Sequence, residues 1–244
     1  MKKAIILSAG QGSRLLPLTA DQPKCLIDFS GRSLIAWQIL ALAANGIEEI
    51  VVVTGFRDDK LEGALAALAV PGVSISTRFN PFYKVADNLG SCWIAREAMD
   101  QDFIILNGDT LVSPEIVGRL IAGATAPITV TIDVKDSYDL DDMKVQRDGD
   151  RLLQIGKRLE PAETNAESIG MLAFKGEGPA IFRRQVEAMM RTPEGVLNWY
   201  LKAIHALAPS GVVGTVSIEG LRWAEVDFPE DLPIARALTE GWTA

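Results

Sequence analysis

The sequence contains few of the residues on which thiol and imidazole chemistry depend. Its 244 residues include two cysteines and one histidine. Cys25 and Cys92 belong to no CxxC or Cys/His cluster, which argues against a zinc site or a disulfide framework. We interpret them as inert thiols in a reducing compartment. A Ser-His-Asp hydrolase would have to rely on His205, and no GxSxG motif accompanies it.

The sequence also lacks a positive charge excess and any long apolar run. A net charge of −8 repels the phosphate backbone of nucleic acids, so we expect no nucleic-acid partner. Nucleotide binding stays open, because a local pocket can be positive on a negative protein. No stretch approaches the roughly 20 apolar residues of a membrane span. The run from Ala4 to Leu7 is too short for a signal peptide. We therefore predict a cytoplasmic protein with no membrane partner.

Strand and helix patterns alternate through the first 135 residues. The predicted elements there are strands 3–7, 49–54, 73–78, 103–106 and 128–134 and helices 34–45, 61–69, 90–98 and 114–122. In the tail we predict a hairpin (145–147 and 152–155), strands 168–174 and 213–218, and helices 178–190 and 197–207. This alternation favours an α/β fold with a mainly parallel, mixed central sheet flanked by helices. No linker or repeat interrupts the chain, so we predict a single domain, 1–244.

The loop after the first strand, Ser8 to Ser13, is rich in glycine. Glycines there let backbone N–H groups point at an anion. Leu15 replaces the third glycine of a GxGxxG motif, and no Walker A lysine follows. Arg14 can grip phosphate oxygens, and prolines on both sides stiffen the segment that leads to Lys24. On spacing alone, a simple turn with a surface arginine and a surface lysine remains the favoured interpretation.

Three segments together resemble the signature of the sugar-phosphate nucleotidyltransferase superfamily. They are residues 7–19 (LSAGQGSRLLPLT), Pro23–Lys24 and residues 31–35 (GRSLI). The resemblance is strongest over residues 1–55. It implies a Rossmann-like nucleotidyltransferase fold, with residues 1–135 as the nucleotide-binding part and 136–244 as the acceptor-binding part. It also implies that Arg14 and Lys24 act on the phosphates as the catalytic residues. The residues expected to bind the nucleotide are Leu7, Ala9, Gly10, Gln11, Gly12, Ser13, Asn80, Asn88 and Ser91.

Two aspartates follow apolar stretches in the manner of metal ligands. Asp109 lies beyond a predicted strand, where α/β sheets bind their ligands, and Asp227 lies near the C-terminus. By themselves they could be a turn residue and a helix N-cap. The resemblance assigns both to Mg²⁺, which usually takes one or two carboxylates beside phosphate oxygens and water. The acidic run Asp139, Asp141 and Asp142 is interpreted as a solvated loop.

The choice of substrates is the least constrained part of the sequence. Residues 87–91 (DNLGS), after Asn80, resemble the phosphocholine and phosphonate cytidylyltransferase branch and lack the Gly-rich stretch of hexose enzymes, which favours CTP. Loop and helix-cap roles for these polar residues stay open. For the acceptor we expect contacts from Lys157, Glu167 and Gly170. A quaternary ammonium would need aromatic faces, for which the candidates are Trp199, Tyr200 and Trp223. A primary amine would need carboxylates.

The predicted function is Mg²⁺-dependent transfer of a nucleotidyl group, from CTP in our interpretation, to a small phosphorylated or phosphonate acceptor such as phosphocholine or 2-aminoethylphosphonate. Pyrophosphate leaves. A sugar-1-phosphate nucleotidyltransferase using UTP, dTTP or GTP is the alternative. A non-catalytic nucleotide-binding module would have lost Lys24 or the aspartates. A glycosyltransferase would carry a DxD motif, whose first Asp is missing at Asn107. One histidine cannot supply the HxGH motif of the other cytidylyltransferase superfamily. A homodimer stays open.

Overall fold

The computed structural model describes residues 1–243, and within that range the chain forms thirteen strands and seven α-helices. The strands are β1 (Lys3–Leu7), β2 (Asp28–Phe29), β3 (Arg32–Ser33), β4 (Glu49–Thr54), β5 (Ser74–Phe79), β6 (Phe103–Asn107), β7 (Thr110–Leu111), β8 (Ile128–Asp133), β9 (Lys144–Asp148), β10 (Arg151–Ile155), β11 (Ala166–Phe174), β12 (Val213–Ser217) and β13 (Ala224–Glu225). The helices are α1 (Leu34–Ala43), α2 (Asp58–Ala67), α3 (Asn88–Ile94), α4 (Pro114–Gly123), α5 (Gly178–Met190), α6 (Tyr200–Leu207) and α7 (Asp231–Thr243).

Nine strands form one mixed sheet in the order β5-β4-β1-β6-β11-β8-β12-β10-β9. The first four in this order are parallel, as are β8 and β12. β11 runs antiparallel to both of its neighbours, β6 and β8, and β10 runs antiparallel to β12 and β9. The predicted Rossmann-like α/β fold with a mixed sheet is confirmed. Parallel pairing dominates its N-terminal half, because crossover helices connect those strands.

The core lies on both faces of the sheet. Along β1, Ile5 and Leu7 join one apolar cluster while Ala4 and Ile6 join another, as the alternation of a strand requires. Side chains of α3, α5 and α6 complete the first cluster. Side chains of α1, α2 and α4 complete the second. Burial on both faces explains why β1, β4 and β6 are almost continuously apolar in sequence.

Several element ends differ from the predicted ones. α2 begins at Asp58, because acidic residues in a first turn complement the helix dipole. The helix predicted at 90–98 is α3 plus a separate 3-10 turn, Arg96–Ala98, and it begins earlier because the Asp87 side chain accepts the Asn88 N–H. α6 begins at Tyr200 instead of residue 197. Both cysteines are buried and free, as predicted. No described helix is long and apolar enough to cross a membrane.

Candidate active site

A cavity of about 1380 Å³ opens where β1 and β6 end. Its wall includes the glycine-rich loop after β1, the Asn107–Asp109 turn after β6 and the segment around Asp227. It continues past β11 to the loop after β8. The position agrees with the rule that α/β sheets bind ligands beyond the carboxyl ends of their strands.

The glycine-rich loop is shaped by internal hydrogen bonds and one close packing contact. Thr19 Oγ1 donates to the carbonyl oxygen of Gly12 at 2.8 Å, and Gln11 Nε2 donates to the carbonyl oxygen of Thr19 at 3.2 Å. Gly12 has a φ of 74°, which favours glycine. A Cβ there would lie 2.8 Å from the Cβ of Lys24. The loop therefore packs directly on the stem of Lys24.

Lys24 forms ion pairs with two carboxylates at the floor of the cavity. Its Nζ lies 3.0 Å from Asp109 Oδ2 and 2.5 Å from Asp227 Oδ1, and 13% of its side chain is exposed. Burial by itself would lower the pKa of Lys24, but the charges of Asp109 and Asp227 outweigh it and raise that pKa above its usual value. The ammonium group is therefore held charged between the two carboxylates.

A two-stranded antiparallel pair brings Asp109 and Asp227 together. β7 pairs with β13, with Thr110 opposite Glu225, and Val226 N–H donates to the carbonyl oxygen of Asp109 at 3.0 Å. Beyond it, the N–H groups of Asp227 and Phe228 both donate to Asp231 Oδ2, at 2.8 and 2.7 Å. Short pairing between distant parts of the chain thus positions both aspartates.

Glu225 is a third carboxylate at this place, which the sequence interpretation missed. Its oxygens and those of Asp109 and Asp227 include a set within 4.8 Å of one another. Desolvation within the cavity, followed by the negative charges of Asp109 and Asp227, raises the pKa of Glu225 above its usual value. A signal existed in the sequence, because residues two apart on an extended segment share one face. Three oxygen donors suit a hard divalent cation, and the Lys24 ammonium already shows that a cation is stable there.

Arg14 lies at the rim of the same cluster. Half of its side chain is exposed, its Nη1 lies 3.2 Å from Asp227 Oδ2, and its guanidinium stacks 4.8 Å from the centre of the Phe228 ring. The stacking preorients the planar group while leaving donors free for an incoming anion.

The predicted nucleotide contacts divide into two groups. Gly10, Gly12, Ser13 and Asn88 line the cavity, whereas Leu7, Ala9, Gln11, Asn80 and Ser91 are not among the lining residues. Asn80 is buried and donates from Nδ2 to Ser91 Oγ at 3.1 Å, so both side chains are engaged in an internal link. Asn88 Oδ1 accepts the Tyr200 N–H at 2.8 Å and caps α6.

The three predicted acceptor residues all line the cavity. Glu167 lies at its end near the loop after β8, which we call the acceptor end, while Gly170 packs against Asn107 and Lys157 lies beside Trp199. Lys157 Nζ lies 5.2 Å from the centre of the Trp199 ring. Glu167 is buried and pairs with Lys135 at 2.7 Å. Burial raises the pKa of Glu167 to about 7, against the opposing effect of Lys135. Gly170, with a φ of 75°, forms the bulge of β11, where a Cβ would lie 2.5 Å from Asn107 Nδ2.

Four further acids line this acceptor end. Asp133 accepts a hydrogen bond from Trp223 Nε1 at 2.9 Å, and Asp142 pairs with Lys135 at 3.2 Å. The others are Asp139 and Asp141. The run at 139–142, interpreted from the sequence as a solvated loop, is largely exposed but also forms part of the cavity wall.

Known proteins resemble this chain in sequence and in fold. The nucleotidyl transferase family model matches residues 3–140. The CTP:phosphoglutamine cytidylyltransferase of Campylobacter jejuni is 28% identical over 95% of this chain and 98% of its own length. The CMP-5'-(3-aminopropyl)phosphonate synthase of Streptomyces rubellomurinus is 30% identical over 94% of this chain, which spans 37% of that relative. The structure of the inositol-1-phosphate CTP transferase from T. maritima shares the fold, with a TM-score of 0.80 at 22% identity over 99% of this chain and 97% of that one.

The chain therefore belongs to the nucleotidyl transferase family. The resemblance predicted from the loop and Pro-Lys segments is confirmed, including its similarity to cytidylyltransferases.

Proposed function

We propose that the protein transfers a cytidylyl group from CTP to a small phosphate or phosphonate that carries a primary amine, and releases pyrophosphate. One observation carries the reaction type: a charged Lys24 lies between Asp109 and Asp227 at the end of the glycine-rich loop. A non-catalytic module of this fold would have no need of an intact lysine and carboxylate cluster. Relatives named for CTP and for small phosphorus-bearing acceptors support the choice of substrates.

The proposed metal is Mg²⁺, with Asp109, Glu225 and Asp227 as the residues that would hold it. Their oxygen donors fit the ion's preference, and phosphate oxygens and water would fill the remaining positions. Bound there, Mg²⁺ would supply charge withdrawal at the α-phosphate and a template for two anionic reactants.

No nucleophilic side chain is needed for the transfer. The acceptor oxygen is already an anion, so it forms the new bond to the α-phosphorus while the bond to the bridging oxygen breaks and pyrophosphate leaves. Lys24 and Arg14 offset the charge that develops on the phosphate oxygens. The backbone of the loop from Gly10 to Ser13 orients the triphosphate, and this positioning accounts for part of the rate acceleration.

The acceptor end of the cavity favours a primary amine over a quaternary ammonium. An aromatic cage would need free ring faces, yet Tyr200 is fully buried and Lys157 already covers Trp199. Carboxylates are abundant instead, with Asp133 fixed by Trp223 beside the exposed acids of the 139–142 loop. An ammonium group would be attracted to this negative end, while the acceptor's phosphorus group lies towards Lys24 and Lys157.

The test is pyrophosphate release with each of CTP, UTP, GTP, ATP and dTTP, paired with 2-aminoethylphosphonate, phosphocholine, inositol phosphate and glucose-1-phosphate. We expect CTP with the primary amine to give the highest kcat/KM. An Asp227→Asn variant controls for contaminating activity. Fastest turnover of UTP or dTTP with glucose-1-phosphate would replace this proposal with a sugar-1-phosphate nucleotidyltransferase.

A further inference from the structure

Gln38 is a fully buried polar residue on an otherwise apolar face of α1. Its Nε2 donates to the carbonyl oxygen of Asn107 at 2.7 Å and to that of Thr110 at 2.8 Å. These two residues bracket Gly108 and Asp109. One side-chain amide therefore ties together both ends of the turn that carries Asp109.

Burying this amide costs free energy of folding, which indicates that its function is to hold the turn. Gln38 Oε1 has no hydrogen-bond partner among the described residues, and an unsatisfied buried polar atom costs about 1–3 kcal/mol. Neighbouring positions of α1, such as Ile35 and Ile39, are apolar and pack in the core. An apolar residue at 38 would avoid the cost but would leave two carbonyls of the turn without their donor.

The turn is held on its other side by β13. Val226 N–H donates to the carbonyl oxygen of Asp109 at 3.0 Å, and Gly108 fits against Ser8, where a Cβ would lie 2.4 Å from Ser8 Oγ. Gln38 is the only one of these restraints that spans the turn. Without it, the pairing of β7 with β13 would remain, but the two ends of the turn that carries Asp109 would no longer be tied to each other.

We infer that Gln38 is a positioning residue that holds Asp109 in register with Asp227 and Glu225 for binding a divalent cation. This inference rests on the metal assignment of the proposed function. The carboxylate acts directly, and Gln38 acts through the backbone of the turn. Supporting contacts of this kind commonly contribute about tenfold or more to metal affinity.

The variant that tests this is Gln38→Met, which keeps the length of the side chain and removes both donors. The matched control is Asn45→Leu. Asn45 follows the same helix, and its side-chain amide donates to the carbonyl oxygens of Ala41 at 2.9 Å and Pro114 at 2.8 Å, outside the cavity. Both substitutions thus remove one amide that bonds two carbonyls. Mn²⁺ affinity of the nucleotide-free protein is measured by electron paramagnetic resonance, and stability by urea unfolding.

We expect Gln38→Met to weaken Mn²⁺ binding about tenfold and to raise the Mg²⁺ concentration for half-maximal pyrophosphate release by a similar factor, with kcat recovering at high Mg²⁺. Asn45→Leu should lose stability but keep its Mn²⁺ affinity. Gln38→Asn, which is too short to reach both carbonyls, should show a smaller change in the same direction and serves if Gln38→Met does not fold. Unchanged Mn²⁺ affinity in the folded Gln38 variants would overturn the inference.

An Asp109→Ala variant in the same series separates this inference from the proposed function. If it binds Mn²⁺ as well as the unmodified protein does, the metal assignment itself fails. If it loses Mn²⁺ binding while the Gln38 variants keep theirs, the metal assignment stands and the role of Gln38 is wrong.

Discussion

Lys24 Nζ lies 2.5 Å from Asp227 Oδ1, so a side chain of the N-terminal loop is ion-paired with a carboxylate near the C-terminus. With Asp109 also at 3.0 Å, the ammonium group is the internal counter-ion of the carboxylate cluster. A divalent cation bound by the same carboxylates would compete with it.

The Lys24→Met variant should therefore change metal binding and catalysis in opposite directions. Without the ammonium, three carboxylates repel one another, so Mn²⁺ affinity in the absence of nucleotide should rise. Turnover should fall by roughly 10²–10³, because the charge that stabilises the reacting phosphates is lost. Mn²⁺ titration and the kcat of pyrophosphate release measure the two effects. Lys60→Met removes the same charge from a surface pair with Asp21 and controls for net charge. Weaker Mn²⁺ binding in Lys24→Met would contradict the competition.

The contact between Gly12 and Lys24 makes a second prediction. A Cβ at Gly12 would meet Lys24 Cβ at 2.8 Å on a backbone with a φ of 74°, so Gly12→Ala should displace the lysine as well as strain the loop. Backbone strain alone costs about 1–2 kcal/mol. Gly31→Ala has the same kind of strain, with a φ of 83° and no neighbour within 4 Å. Both variants should unfold at lower urea, but only Gly12→Ala should lose turnover. Equal activity of the two variants would show that the packing of Gly12 against Lys24 does not affect catalysis.

The local parts of this arrangement were predictable from sequence, and the non-local parts were not. The strand, the glycine-rich loop and the Pro-Lys segment have patterns that are readable within a few residues. The antiparallel insertion of β11 and the pairing of β7 with β13 join distant segments, so Glu225 was missed although its neighbour Asp227 was proposed as a ligand.

The same limit, contacts between distant segments, explains why the environment of some polar residues could not be predicted. Asn80 and Ser91 were expected to contact the base or ribose of the nucleotide, and in the fold they are buried and hydrogen-bonded to each other. The sequence did not single out Gln38, because the role of one glutamine on an apolar helix can be inferred only once the turn that it contacts is known.

The stability of the protein should depend on pH through Glu167. Burial raises the pKa of Glu167 to about 7 from 4.5, so between these values the folded state binds more protons than the unfolded chain does. The free energy of unfolding therefore falls as pH rises from about 4.5 to about 7. Glu167→Gln removes this dependence, and its stability relative to the unmodified protein should increase by roughly 3 kcal/mol between pH 4.5 and pH 8.

Urea unfolding of both proteins across this pH range measures the difference. Glu163→Gln, at an exposed position, controls for removal of one negative charge. A difference between Glu167→Gln and the unmodified protein that stays constant with pH would mean that the pKa of Glu167 is the same in the folded and unfolded states.

The amine preference should depend on the charge of Asp133. Asp133→Asn keeps an oxygen that can accept from Trp223 Nε1 but removes the negative charge. For 2-aminoethylphosphonate we expect KM to rise about tenfold, since a hydrogen bond to a charged group contributes about 1.5–3 kcal/mol, with kcat little changed. Ethylphosphonate, which has no amine, should show no such change. Asp148→Asn, at the last residue of β9 and outside the cavity lining, is the control. An equal rise in KM for both acceptors would remove Asp133 from amine recognition.

The base preference should depend on the amide nitrogen of Asn88, whose oxygen is already engaged. Asn88 Oδ1 accepts the Tyr200 N–H at 2.8 Å, so Asn88→Ala would remove the cap of α6 and lower the stability by about 1 kcal/mol. A loss of activity in that variant could then reflect either lower stability or weaker recognition of the base. Asn88→Asp keeps an acceptor for Tyr200 and replaces the NH₂ donor with an acceptor.

Cytosine presents acceptors at N3 and O2, whereas uracil presents a donor at N3. If Asn88 donates to the base, Asn88→Asp should leave an acceptor facing an acceptor with CTP and should suit UTP better. The ratio of kcat/KM for CTP over UTP should then fall about tenfold or more, as expected for a lost or unpaired polar contact. Asn165→Asp makes the same chemical change at an exposed site outside the cavity lining, where the Asn165 oxygen accepts the Arg147 N–H and its nitrogen donates to the Arg147 carbonyl oxygen, and it should leave the ratio unchanged. If Asn88→Asp lowers kcat/KM equally for both nucleotides while α6 stays folded, Asn88 positions the nucleotide without reading its base, and the choice of CTP must come from other residues.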